Sequence, residues 1–245
     1  MKFLIKYASR SRPVLFVRSI ENITATIETK DYQILVTADI DDKSMNNGDI
    51  TDFLRGFPQV KIVYGFSDSK VHAINADLEQ ADPWDILVNM SDDMFFKVQG
   101  WDKVIEKRKN EVCPESMDCF LHFNDGYVGN NLPTMSIIGS DYYKRDNYIY
   151  YPEYKSFSCD AEAMYVAQAR GRWFYFPEIL FEHKHPANNP AVVKNDELYR
   201  QNSLHTDHDV KLYFSRLHRD FDLPSPEYRP WDWAKKVYDV NGNKK

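Results

Sequence analysis

The stretch Trp84-Asp85-Ile86-Leu87-Val88-Asn89-Met90-Ser91-Asp92-Asp93-Met94 decides the reading of this chain. Residues 86–90 form an apolar run with the length and composition of a buried strand, and the run stops abruptly at two adjacent carboxylates. In an open α/β sheet, ligands bind beyond the carboxyl ends of the strands. Two carboxylates placed there can hold a hard divalent cation, and such a cation can neutralise a diphosphate. A solvated acidic turn would leave the same short trace, so the pair takes its meaning from the sequence around it.

Upstream, the sequence alternates strand and helix patterns. Residues 3–7 predict a first strand, followed by the polar loop Ala8-Ser9-Arg10-Ser11-Arg12-Pro13, whose proline is placed to open a helix. Leu15, Ile20, Ile23 and Ile27 carry helical spacing over 14–27. A second strand over 33–38 runs into Asp39-Ile40-Asp41-Asp42, and a third is expected at 61–64. Val71, Ile74 and Leu78 make a helical stripe over 70–80. Such alternation at short connection lengths argues for parallel strands with helices on both faces.

After residue 95 the pattern is mixed. Helices are expected over 101–109 and 159–170, the second stopped by Gly171, and strands over 119–123, 134–138 and 173–176. From residue 195 the sequence turns helical and polar, with Thr206 a plausible N-cap. The expected architecture is an α/β/α sandwich around a mixed central sheet. Residues 1–94 read as a nucleotide-binding half and 95–190 as a second half of mixed pattern, with a helical extension over 191–245.

Composition bounds the function. The chain has 245 residues, 43% of them hydrophobic, enough for one sizeable core. Its net charge of −6 supplies no global field for nucleic acid. No run of about 18 apolar residues is present to span a membrane. The start, Met1-Lys2-Phe3-Leu4-Ile5-Lys6, is too short in its apolar part for a signal peptide. The three cysteines, Cys113, Cys119 and Cys159, lack CxxC spacing and are expected as buried thiols in a reduced, cytoplasmic protein. No Gly-x-Gly-x-x-Gly and no Gly-Lys-Ser/Thr loop occurs, which counts against dinucleotide oxidoreductases and P-loop enzymes.

Taken in order, the pieces resemble inverting glycosyltransferases of the GT-A fold, family 2-like, over roughly residues 2 to 187. The resemblance implies that residues 95–190 are the acceptor and catalytic half, and that the first strand and its loop, with Tyr7, Arg10 and Arg12, meet the nucleotide. It places Asp39, Asp41 or Asp42 against the base or ribose. Ser69-Lys70-Val71-His72-Ala73-Ile74-Asn75-Ala76 looks like the family's Lys-x-x-Ala-x-Asn helix beside the nucleotide, and Ser91-Asp92-Asp93-Met94 looks like its DxD motif. Ser158-Cys159-Asp160-Ala161-Glu162 stands where the family carries the acidic pair that supplies the general base, with Cys159 in place of the first acid, so both Asp160 and Glu162 remain candidates. Phe181-Glu182-His183-Lys184-His185-Pro186 falls where some members give a histidine to the metal. Asp125, in His122-Phe123-Asn124-Asp125-Gly126-Tyr127, lies where the family binds a sugar, although a strand ending in Asn-Asp-Gly is often only a turn. The chain lacks the family's common loop of Arg and Trp residues after the base.

The implied chemistry suits these residue types. A sugar nucleotide carries its sugar on a diphosphate leaving group, and a bridging Mn²⁺ or Mg²⁺ stabilises its departure. Asp93, assisted by Asp92, would anchor the ion, and an imidazole from His183 or His185 favours Mn²⁺. Arg10, Arg12 and Lys70 would add fixed positive charge beside the phosphates. Asp39 or Asp42 would accept from a uracil N–H or a ribose hydroxyl, so the donor is expected to be UDP-linked. A carboxylate near the acceptor hydroxyl would take its proton during attack.

Two rivals remain open. A nucleotidyltransferase shares the α/β half and the metal, but normally has a Gly-rich loop after the first strand. A non-catalytic nucleotide- or carbohydrate-binding module would not need all of Asp92, Asp93, Asp160 and Glu162. The acceptor is open among saccharide, protein, small molecule and modified DNA base. Lys103, Lys107, Arg108 and Lys109 offer a local basic patch on one predicted helix, or simply a solvated helix face. The cluster over 148–154 is rich in tyrosine, suited to packing or to a sugar platform.

Overall fold

The first seven elements alternate as the hydrophobic pattern requires: β1 (Phe3–Ser9), α1 (Pro13–Thr26), β2 (Tyr32–Asp39), α2 (Gly48–Leu54), β3 (Val60–Gly65), α3 (Lys70–Asn75) and β4 (Ile86–Met90). They come from a computed structural model that describes residues 1–188 and 196–245. Pro13 opens α1, which buries Phe16, Ser19, Ile20 and Ile23 at helical spacing. α2 was not expected; it is short, with Ile50, Phe53 and Leu54 as its only apolar stripe, and Asn47 caps it by accepting from the Ile50 N–H. The stripe expected over 70–80 breaks at Asn75, whose carboxamide oxygen takes the N–H groups of Ile149 and Tyr150. Asp77 then turns left-handed at φ 64° before a short 3₁₀ turn.

The remainder continues with β5 (Met94–Phe96), α4 (Trp101–Val112), β6 (Phe120–Asn124), β7 (Ile137–Gly139), α5 (Ser140–Tyr143), α6 (Cys159–Ala169), β8 (Trp173–Ile179) and β9 (Phe181–His183). After the segment outside the description come α7 (Glu197–Ser203), α8 (Thr206–His218) and α9 (Asp232–Val237). The expected boundary at 190/191 lies outside the described residues.

One seven-stranded sheet runs β3-β2-β1-β4-β7-β6-β8. Its first four strands are mutually parallel; β7 is antiparallel to β4 and β6, and β8 is parallel to β6. The sheet is therefore mixed, as expected, and it crosses the expected 94/95 division. A separate antiparallel pair, β5 with β9, was not legible in the sequence.

Strand alternation divides the core between two faces. Phe3, Ile5, Tyr7, Ile34, Val36, Ile86 and Val88 pack with Phe16, Ile20, Ile23, Trp101 and Ile105 on one side. Leu4, Leu35 and Leu87 pack with Val71, Ile74, Tyr150, Tyr154 and Cys159 on the other. Burying side chains of this size is worth about 1.5–3 kcal/mol each, before the opposing chain entropy.

The C-terminal helices are stitched to this framework. The buried Asp209 of α8 accepts from the backbone N–H groups of Lys155, Ser156 and Phe157, and Arg216 pairs with Glu162. Leu217, Phe221, Trp231 and Ala234 form a third cluster against Tyr165, Val166 and Ala169 of α6.

Three local expectations are corrected. Thr206 is the first residue of α8 and not its cap; its hydroxyl donates to the Ser203 carbonyl. The basic face on α4 is neutralised: Lys103 pairs with Glu106, Lys107 with Glu111 and Arg108 with Glu111 and Glu178, while Lys109 is buried and donates to the Pro114 carbonyl. Cys119 and Cys159 are buried, but Cys113 is half-buried. Among the described residues no helix is long and apolar enough to cross a membrane.

Candidate active site

The sheet reverses its strand order at β1 and β4, and the crevice beyond their carboxyl ends is where such sheets bind ligands. A cavity of about 340 Å³ opens there. The loop after β1 forms one wall. It turns through Ser11 at φ 59°, with the Ser11 N–H donating to Asp42 Oδ2 at 2.6 Å. Asp42 also accepts from the Ser44 N–H and hydroxyl. These bonds aim Arg10 and Arg12 inward. Arg10 pairs with Asp39 and Asp41, and Asp39 also accepts from the Ser67 N–H at 3.0 Å. Phe66, directly after β3, lines the cavity with 78% of its surface exposed.

The acidic pair forms the floor. Asp92 accepts from the Ser9 hydroxyl at 3.0 Å and from Arg12 at 2.9 Å. Asp93 accepts from the hydroxyls of Ser91 and Tyr199, and Arg12 approaches it at 3.4 Å. Pairing of β5 with β9 sets Met94 opposite His183, and the Lys184 N–H donates to the Asp93 carbonyl at 2.8 Å. That register brings His183 Nε2 to 3.5 Å from Asp93 Oδ1. Burial and the neighbouring Asp93 charge push the Asp92 carboxyl up, against the pull of Arg12. Burial works the same way on Asp93 but is outweighed by His183, Ser91 and Tyr199, which hold it low. His185 stands edge-on to Tyr199, 4.8 Å between ring centroids, and burial lowers its pKa.

The donor set fits a divalent cation held jointly with a ligand. Among the described residues no cluster of three His, Cys, Asp or Glu side chains gathers to bind one alone. Asp93 and His183 face each other, however, and the buried His183 Nδ1 has no partner among the described residues. An ion with one carboxylate and one imidazole would complete its shell from phosphate oxygens.

Helix α7 closes the cavity opposite. Asp196 caps it through the Tyr199 N–H and also pairs with Arg12. The Arg12 guanidinium lies 4.3 Å from the Tyr199 ring centroid. Gln201, Asn202 and His205 complete that wall. Lys70, at the first turn of α3, lines the cavity and makes no ion pair or hydrogen bond through its side chain to the described residues.

A second cavity, of about 90 Å³, shares Ala8, Lys70, Ser91 and His183 as walls with the first. Asp160 lines it. Its carboxylate accepts from the Ala161 N–H at 2.9 Å, and burial pushes its pKa up against the opposing charge of Lys70. Asp209 holds the preceding loop by three N–H groups, and Ser158 turns into α6 at φ 61°. Backbone of this kind costs about 1–3 kcal/mol and persists where neighbours over-determine it.

The structure therefore brings Arg10, Arg12, Asp39, Lys70, Asp92, Asp93, His183 and His185 to one cavity and Asp160 to its neighbour. Four expected site residues lie elsewhere. Glu162 is buried against Arg216 at 2.8 Å and Tyr154 at 2.7 Å, on the side of α6 facing α8, so no acceptor can reach it. Asp125 is a buried turn residue that accepts from the N–H groups of Tyr127 and Val128 and from the Thr134 hydroxyl. Tyr7 packs edge-on to Phe16 in the core and lines neither cavity. Asp42 holds the loop from behind. Sequence reasoning missed Phe66, Asn89, Asp196, Tyr199 and Asp209. Two of them carried a signal: Phe66, an aromatic just past a strand end at the ligand-binding edge, and Asn89, a polar residue inside an apolar strand.

No protein-family profile matches the sequence, and no curated protein matches it. Solved structures do. A mannosyltransferase from Pyrobaculum calidifontis, solved with GDP-Man and Mn²⁺, superposes with a TM-score of 0.68 at 12% identity, over 92% of this chain and 66% of that one. This chain thus spans just under two thirds of that protein's length. S. aureus TarS 1-349 superposes with a TM-score of 0.58 at 14% identity, over 93% of this chain and 74% of that one; it has been solved with UDP-GlcNAc, and with UDP. The likeness establishes the architecture: this chain has the GT-A fold of those glycosyltransferases.

Proposed function

We propose that the protein is a metal-dependent glycosyltransferase that moves a sugar from a nucleotide-sugar donor, UDP-linked, to an acceptor hydroxyl with inversion. One observation carries the reading. The facing pair Asp93–His183 and the buried carboxylate Asp160 line two cavities that share as a wall Lys70, whose side chain has no partner among the described residues. Folds of this kind host many chemistries, so the site and not the fold makes the argument.

In this reading Asp39 accepts from the imide N–H of the base, and Lys70 and Arg10 bind the phosphates. Mn²⁺ or Mg²⁺ on Asp93 and His183 would supply Lewis-acid stabilisation of the leaving diphosphate. Asp160 takes the acceptor proton as the acceptor oxygen bonds to the anomeric carbon. The bond from that carbon to the phosphate oxygen breaks, and the nucleoside diphosphate leaves with its electron pair. Attack from the face opposite the leaving group inverts the anomeric centre. The raised pKa of Asp160 suits a base that must hold a proton briefly at neutral pH.

Calorimetric titration tests the donor half. UDP is expected to bind in the presence of Mn²⁺, more tightly than GDP, CDP or dTDP, and to raise the melting temperature. EDTA or Asp93→Ala should remove the metal-dependent part of that affinity. If no nucleoside diphosphate binds with metal present, the reading is wrong. Slow hydrolysis of a UDP-sugar by the wild type separates an enzyme from a binding module.

A further inference from the structure

Asn89 is a polar residue on a face of β4 that is otherwise apolar. Its neighbours on that face are Leu87 and, across β1 and β2, Leu4 and Leu35, with the buried Lys6 directly opposite it on β1, its ammonium donating to the Thr37 hydroxyl. It is 94% buried, with a relative exposure of 6%. A buried carboxamide is costly unless both ends are paired, about 1–3 kcal/mol for each group left without a partner. One end is paired: Nδ2 donates to the Tyr150 hydroxyl at 3.3 Å, which lies 3.0 Å from Ser136 Oγ. The backbone is fixed as well, with the Asn89 N–H donating to the Ser136 carbonyl at 2.9 Å. The other end, Oδ1, has no partner among the described residues.

That residue lines the smaller cavity, with Ser91, Thr134, Tyr150, Ser156 and Asp160. The cavity begins at the walls it shares with the larger one, Lys70, Ser91 and His183, where a diphosphate would end. It is lined by hydroxyls and a carboxylate as well as by apolar side chains, the mixture that a polyhydroxylated ring requires.

Resting on the glycosyltransferase reading, we propose that Asn89 is a specificity-determining residue for the transferred sugar, its unpaired carboxamide oxygen accepting a hydrogen bond from one hydroxyl of a hexose lodged in the small cavity. The oxygen can only accept, and the carboxamide is held through Nδ2 by Tyr150. A sugar that presents O–H or N–H at that position is bound. A sugar deoxygenated or O-alkylated there leaves the oxygen buried and unpaired, and sites built around such a bond reject analogues that lack it. Asn89 is a binding residue and takes no part in proton transfer.

The experiment compares wild type with Asn89→Leu, which keeps the volume and removes the acceptor. Calorimetry with Mn²⁺ measures UDP, UDP-glucose, UDP-N-acetylglucosamine, GDP and GDP-mannose. The quantity read is the ratio of affinity for each nucleotide sugar to that for its nucleoside diphosphate. Asn89→Leu should lower this ratio roughly tenfold for the sugar that wild type prefers, as loss of one buried hydrogen bond implies, and leave nucleoside diphosphate affinity unchanged. An unchanged ratio with intact diphosphate binding overturns the role of Asn89 and leaves the nucleotide site standing. Failure of every diphosphate on wild type overturns the glycosyltransferase reading, and this proposal with it. If Asn89→Leu does not fold, Tyr150→Phe carries the test. It frees the carboxamide to turn, and should lower the ratio about threefold; no change there also overturns the proposal.

Discussion

Asp160 and Glu162 stand two residues apart in the first turn of α6, yet they meet opposite surroundings. Two residues rotate a helix by roughly 200°. Asp160 therefore faces the small cavity, while Glu162 faces α8 and is bound by Arg216 and Tyr154. Burial raises both carboxyls, but only Glu162 has a cation in contact to hold its charge. A carboxylate sealed with an arginine fixes the chain in place. A carboxylate buried without one, and open to a cavity, is free to exchange a proton.

Breaking the sealed member should have the largest effect. Arg216 donates to both Glu162 oxygens through Nε and again through Nη2, and once to Asp222 through Nη1, and its guanidinium lies over the Tyr151 ring. Arg216→Ala leaves Glu162 buried and unpaired, which costs about 3–5 kcal/mol. Urea unfolding should show it as a lower midpoint with an unchanged slope. A paired replacement, Arg216→Met with Glu162→Leu, should recover most of the loss. A single variant as stable as wild type would mean that water already reaches the pair.

The open member should behave in the reverse way. Asp160→Asn is expected to lower kcat by about 10²-fold or more, with donor affinity unchanged. The same change should raise stability at neutral pH. The folded-state pKa of Asp160 is raised, so its favourable contribution is complete below the unfolded value of about 3.9 and is lost as pH rises through the folded one. The melting temperature of Asp160→Asn should therefore exceed that of wild type at neutral pH and converge with it in acid. Near-normal turnover in this variant would remove Asp160 as base.

Lys6 extends the comparison to a cation. It is fully buried on β1, donates to the Thr37 hydroxyl at 2.5 Å and is pushed down to about 8, chiefly by burial. A depressed lysine adds stability that is complete above the unfolded pKa and is lost as pH falls through the folded one. Wild-type stability should rise by about 2 kcal/mol between about pH 8 and about pH 10. Lys6→Met should flatten that rise; an identical slope in the variant would assign it to other groups.

What the sequence could reveal follows from the range of each signal. The parallel half was legible because strand and helix periods are local, and the acidic pair because it interrupts an apolar run at Met90. The choice between Asp160 and Glu162 was not, since it depends on α8, some fifty residues away, arriving with Arg216. Asp125 and Asp42 misled for a related reason. Aspartate is favoured both in sites and in turns, and only the partners, the Tyr127 and Ser11 N–H groups, tell them apart. Tyr199 reaches Asp93 from a seven-residue helix in which only Leu198 and Tyr199 are not strongly polar, too short a pattern to announce it.

The smallest effect expected belongs to Phe66, where exposure and function are weighed directly. A phenylalanine with 78% of its surface exposed gains little from folding, so Phe66→Ala should change the melting temperature hardly at all. Its ring borders the same cavity as Asp39 and Ser67, at the end where the base of the donor is proposed to lie. Stacking of a base on an aromatic ring is worth about 1–3 kcal/mol, and an edge position open to solvent belongs at the low end. UDP affinity should therefore fall about five- to tenfold in Phe66→Ala, while Phe66→Tyr, which keeps a stacking face, should bind as wild type does. Calorimetry on the two variants distinguishes a platform from a bystander. Equal UDP affinity in Phe66→Ala and wild type would place the base deeper, against Thr37 and Ala73, and leave Phe66 as exposed surface beside the site.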